Sequence, residues 1–146
     1  MPAHITILYP FCPPAQIDAA VIAKLAACFA AHPAFEFQLA HIGRLPGLLY
    51  LAPQPGAPIR DLTLAVWHAF PDYPPYEGRH ADILPHLTVA MMADEQALAQ
   101  VADGFADAAE ACLPITTRVT EVALLSNARG QWEQVHSFAL GAPNDP

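Results

Sequence analysis

The sequence is poor in charge. Only 14% of its 146 residues are Asp, Glu, Lys or Arg, against roughly 25% in an average soluble domain. Six Lys and Arg residues face fourteen acids, giving a formal net charge of −8. Long nucleic acid is held by clustered cations that neutralise phosphates, so this balance argues against such a partner. Long apolar runs are missing too. The best stretch, Ala19 to Ala31, is interrupted by Lys24 and ends at His32-Pro33, short of the roughly 18 to 20 residues a membrane span needs. The opening Met1-Pro2-Ala3-His4 has no basic region, and Pro10 breaks the first apolar stretch, which is wrong for a secretory signal; a cytoplasmic protein without a membrane partner is expected. Cysteine is scarce: Cys12, Cys28 and Cys112 are odd in number and contain no Cys-x-x-Cys pair, so neither a disulfide framework nor a zinc knuckle is signalled.

Apolar residues, at 54%, are plentiful. That fits a single folded domain over 1–146 and not a disordered chain. Residues 4–9 are β-branched and aromatic and read as a strand stopped by Pro10. Residues 15–31 read as a helix on the spacing of Ile17, Val21, Leu25 and Cys28. Strands follow at 35–42 and 48–52, joined across Pro46-Gly47, then a helix at 58–70 with a stripe of Ile59, Leu62, Val66, Trp67 and Phe70. The proline-rich stretch 71–85 reads as a long connection. After it come a strand at 86–91, a helix capped by Asp94, and a strand pair at 115–125 and 132–140. The order strand, helix, strand, strand therefore occurs twice, which predicts an α+β fold of two lobes, approximately 1–72 and 84–146, around a central cleft.

Each half opens with the same phrase, His4-Ile5-Thr6-Ile7 and His86-Leu87-Thr88-Val89. In a strand, residues i and i+2 share a face, so each His points with its Thr while the apolar pair points to the core. If an approximate two-fold axis relates the halves, two imidazoles and two hydroxyls converge on one spot. Such a group suits in-line displacement at phosphorus. One imidazole takes a proton from the attacking oxygen and the other protonates the leaving oxygen, a division that histidine's ordinary pKa of roughly 6.5 permits near pH 7. The threonine hydroxyls can donate to the nonbridging oxygens. No metal or other cofactor is needed for this chemistry.

At these residues the chain resembles the 2H phosphoesterase superfamily, which includes the 2′-5′ RNA ligase-like proteins and cyclic nucleotide phosphodiesterases and is marked by paired His-x-Thr/Ser-hydrophobic signatures. Leu8-Tyr9-Pro10-Phe11 is similar to the continuation common after the first signature, and Pro85 precedes the second as it often does there. The resemblance implies the two-lobed 2′-5′ RNA ligase-like fold and hydrolysis of 2′,3′-cyclic phosphates or 2′-5′ phosphodiesters, reversible in some members as ligation. It also implies His4 and His86 as the acid/base pair and Thr6 and Thr88 as phosphate-oxygen donors. The chain departs from the ligase-like members in being short and acidic, and Ala90-Met91 stands where some relatives carry an arginine. A small nucleotide or an RNA terminus is the expected substrate.

Phe11, Tyr50, Tyr73 and Tyr76 are further candidates, as aromatics that stack on a base. Arg79, seven residues before His86, is the candidate phosphate partner among the five arginines. The remaining histidines read as structural: His32 at a helix end, His41 and His136 in strands, His68 on a helix. His80, Asp82 and His86 are drawn together only by a proline-rich stretch that fixes no metal geometry. Ten of the fourteen acids fall in residues 74–146, and Asp94, Glu95, Asp103, Asp107 and Glu110 meet no Lys or Arg between Arg79 and Arg118. A solvated helix face explains that run; an acidic interaction surface over 94–111 is the alternative. A non-catalytic nucleotide-binding module is the other alternative, though it has no chemical need for both imidazoles.

Overall fold

A computed structural model describes residues 2–142. In chain order these form α1 (Ala19–Ala30), β1 (Phe35–Leu45), β2 (Leu48–Gln54), α2 (Ala57–Ala69), β3 (Leu87–Met91), α3 (Glu95–Ala109), β4 (Ile115–Val119), β5 (Glu121–Ser126) and β6 (Glu133–Ala139). The architecture is α+β. An antiparallel sheet runs in the order β3-β2-β1-β4, and β5 pairs with β6 beside it. The larger sheet takes β1 and β2 from before the proline-rich stretch and β3 and β4 from after it, so strands of both sequence halves share one layer.

The helices follow their predicted spans to within a few residues because their ends are chemically marked. Asp18 caps α1, accepting from the Val21 N–H at 2.9 Å, after a single 3₁₀ turn at Pro14–Gln16 that shortens the helix expected from residue 15. Asp94 caps α3 through Gln96 and Ala97. Pro58 opens α2 in its first turn. The β1–β2 turn passes through Gly47 at φ 74°, a left-handed conformation that glycine adopts without steric cost.

Two apolar clusters hold the layers together, and α2 joins them. Leu62 and Val66 of α2 pack with Leu25 and Phe29 of α1 and Phe138 and Leu140 near β6. Ile59, one turn earlier, packs with Phe37 and Leu39 of β1 and Leu51 of β2. Leu62 and Leu98 are wholly buried; truncating such a leucine to alanine costs about 2 to 5 kcal/mol.

Two strand expectations are corrected. Residues 115–125 are not one strand but two. β4 pairs with β1, β5 pairs with β6, and Thr120 lies at the break, where its carbonyl accepts from Leu140 N–H. Residues 4–9 do not form a regular strand either: their sheet contact is the single antiparallel bridge between Ile5 and Leu87. The Ile7 carbonyl, two residues on, is taken by the Thr63 hydroxyl of α2 at 2.7 Å, and Pro10 has no N–H to offer a neighbour.

Candidate active site

The Ile5–Leu87 bridge fixes the geometry of both His-x-Thr segments. Ile5 and Leu87 turn inward onto the cluster of Phe37, Leu39, Leu51 and Ile59. Residues flanking a bridge pair face each other and point to the opposite side, so His4 stands across from Thr88 and Thr6 across from His86 on one face. The two histidines are diagonal neighbours on this grid, a relation that sets backbone positions about 7 to 8 Å apart. The bridge thus sets the two His-x-Thr segments side by side. His4 and Thr88 are exposed, and Thr6 and His86 are half-buried.

Both imidazoles are oriented in the same way. His4 Nδ1 lies 2.9 Å from the Pro2 carbonyl and His86 Nδ1 lies 2.8 Å from the Leu84 carbonyl, each two residues upstream. A carbonyl oxygen only accepts, so each Nδ1 carries the hydrogen and each Nε2 is left to take or give a proton. Pro2 is itself the acceptor for His4, and the buried Pro85 stands between the acceptor Leu84 and His86. Each proline restricts the backbone that presents its histidine.

The face extends across β2 and β1. Tyr50 pairs with Thr88 on one side and Gly43 on the other, and its ring meets the His86 ring edge to face at 5.8 Å. A Cβ on Gly43 would overlap the Tyr50 ring, so the glycine is what lets that ring lie across β1. Ala52 follows Tyr50 on the same side and pairs with His41. One row of the face is therefore His4, Thr88, Tyr50 and Gly43, and the next is Thr6, His86, Ala52 and His41. Sequence reasoning found Tyr50 but set His41 aside as structural. Its place on this face follows from a bulge in β1 between Leu39 and His41, which no residue pattern announces.

Two other candidates make contacts of their own. Phe11 is taken up by packing, edge-on to Phe70 at 5.1 Å and to Tyr73 at 5.5 Å, against the α1–α2 cluster. Arg79 is a surface residue ion-paired with Glu77. Arg44, Arg118 and Arg129 pair with Glu95, Glu36 and Glu133 in turn. Burial raises the Cys12 and Cys28 thiols above their ordinary values, which keeps them protonated packing residues; Cys112 is exposed. Among the described residues no three His, Cys, Asp or Glu side chains are grouped to hold a metal ion, and no helix is long and apolar enough to cross a membrane.

An α+β body with a curled antiparallel sheet and two His-x-Thr segments side by side defines a protein of the 2H phosphoesterase class. The chain belongs to the 2′-5′ RNA ligase superfamily, whose family model matches residues 1–131. Among solved structures it is similar to E. coli LigT complexed with 3′-AMP, at 18% identity and a TM-score of 0.60, over 94% of this chain and 76% of that one. The apo form of E. coli LigT matches at 20% identity and a TM-score of 0.59, covering 95% and 76%. A protein described as a phosphoesterase matches at 17% identity and a TM-score of 0.55, covering 95% and 77%. At these identities the structures speak for the fold. No curated protein matches the sequence. Family and fold together give the chain a phosphoesterase- or ligase-type role.

Proposed function

We propose that this protein is a metal-independent phosphodiesterase that hydrolyses 2′,3′-cyclic phosphates, or 2′-5′ phosphodiesters, of small nucleotides or RNA ends. The observation that supports the reading is the Ile5–Leu87 bridge, which sets the two His-x-Thr segments side by side, with matched Nδ1–carbonyl bonds that leave each Nε2 unengaged by them. One Nε2, unprotonated, takes the proton of the attacking water as its oxygen bonds to phosphorus. The other, protonated, gives its proton to the ribose oxygen as the ester bond breaks, leaving a phosphomonoester. Thr6 and Thr88 donate to the nonbridging oxygens, where negative charge builds. In the ligation direction a 5′ hydroxyl takes the place of water on a 2′,3′-cyclic phosphate. One imidazole takes its proton as O5′ bonds to phosphorus, and the other protonates O3′ as the P–O3′ bond breaks, leaving a 2′-5′ phosphodiester. E. coli LigT is complexed with 3′-AMP, which supports a nucleotide-sized substrate here.

The test is turnover of 2′,3′-cyclic nucleotides in excess EDTA. The wild type is expected to be active with a bell-shaped pH dependence, and His4→Ala and His86→Ala are each expected to lose about 10² to 10⁴ in kcat. Activity that disappears on chelation, or survives in both variants, overturns the reading. Saturable binding without turnover identifies a non-catalytic module instead.

A further inference from the structure

A cavity of about 600 Å³ opens between α2 and residues 74–84. That is within the roughly 300 to 1,000 Å³ of small-molecule sites. Trp67 and Leu64 of α2 form one wall, and Tyr76 and His80 line it from the loop, their rings edge to face at 5.5 Å. Arg60 and Asp82 bring one charge of each sign to the lining.

Arg60 differs from every other arginine. The other four each pair with a glutamate, whereas Arg60 pairs with no carboxylate among the described residues. Its Nε donates to the Ile83 carbonyl at 3.3 Å, which anchors the guanidinium group at the cavity and leaves its terminal amino groups for another acceptor. The loop wall is held in a costly conformation. Tyr76 and Glu77 both lie in the left-handed region, at φ 51° and 56°, which non-glycine residues adopt at a cost of about 1 to 2 kcal/mol each. The turn is tied down by the Tyr76 N–H bond to the Tyr9 carbonyl at 2.8 Å and by Arg79 N–H to the Tyr76 carbonyl at 3.0 Å. Burial raises the Tyr76 phenol above its ordinary value, so it stays a neutral donor.

We propose that this cavity binds a nucleoside monophosphate, separately from the paired-histidine face: the planar base against Trp67 and Tyr76, its N–H groups toward Asp82, and its phosphate on Arg60. Aromatic walls select a planar ring, a carboxylate selects a ring bearing N–H donors, and an uncommitted guanidinium selects an anion. The three together describe a nucleotide better than an inorganic anion or an apolar ligand.

Trp67 supplies the readout. Trp132, the only other tryptophan, packs against Tyr9, so the Trp132→Phe protein reports the cavity alone. Titration with 5′-AMP is expected to change Trp67 fluorescence saturably, while inorganic phosphate does not. Arg60→Met should weaken 5′-AMP by about tenfold or more and adenosine far less. Ala81→Phe, which fills the cavity from the loop without altering α2, should abolish the response and keep the circular dichroism of the fold. The response should persist in His4→Ala/His86→Ala, so it stands or falls apart from the proposed catalysis. No saturable change, or a change lost with the two histidines and kept in Arg60→Met and Ala81→Phe, overturns the proposal.

Discussion

Residues 86–91 belong to a strand that is hydrogen-bonded to β2 along Leu48–Leu51 and meets Ile5 on its other side. Residues 4–9 repeat the His and the Thr with apolar residues after each, yet meet the sheet only through that one bridge, with the Thr63 hydroxyl on the Ile7 carbonyl and the Tyr76 N–H on the Tyr9 carbonyl as further ties. In spite of this unequal support the two imidazoles are held alike, each Nδ1 on the carbonyl two residues before it. The comparison teaches that the orientation of these histidines is a local matter, set by a short turn of backbone and a proline. The distance between the two is a matter of sheet register.

The sharpest way to separate the halves is through their threonines. Thr6→Val and Thr88→Val are each expected to lower kcat by about 10² with little change in KM, because donors to developing charge act chiefly in the transition state. Steady-state kinetics on a cyclic nucleotide decides it, and a loss confined to KM assigns the hydroxyls to ground-state binding. A smaller effect is expected from Gly43→Ala. Its new Cβ must displace the Tyr50 ring, at about 1 to 3 kcal/mol in chemical denaturation. That cost should vanish in the Tyr50→Ala background.

Thr63→Val tests the weaker segment directly. It removes the bond to Ile7, and the loss in stability should be about 1 kcal/mol, with a fall in turnover larger than that stability change accounts for. Equal effects on turnover and stability would mean that residues 4–9 need no tether. Smallest of all, an aromatic disulfide reagent at neutral pH should label Cys112 fast and Cys12 and Cys28 slowly. Burial keeps the latter two thiols protonated, so their reaction should speed up only as pH rises.

Much of the frame was legible because its signals are local. Asp94 and Pro58 mark helix starts, while the cap at Asp18 is passed over and its helix read from residue 15, too early; the three- and four-residue spacings of Leu25, Leu62 and Leu98 with their neighbours mark buried faces. The shared face of each His and Thr followed from strand alternation alone. What stayed hidden depends on long-range pairing. Ile115–Leu125 carries nothing local to say that it changes sheets at Thr120, since only the Leu140 N–H on its carbonyl reveals the break. The place of His41 rests on a bulge, and the packing of Phe11 on Phe70 and Tyr73 rests on tertiary contacts with no sequence period. The cavity beside Trp67 is of the same kind, since Tyr76 and Glu77 adopt a backbone that their side chains give no reason to expect.

The lone bridge at Ile5 also bears on how the molecule tolerates heat. A length of chain joined to its sheet by one bridge has less ladder to break than a full strand, and its opening is a local event that leaves the remaining layers intact. Under the proposed mechanism, warming that frays residues 4–9 costs turnover before it costs the interior.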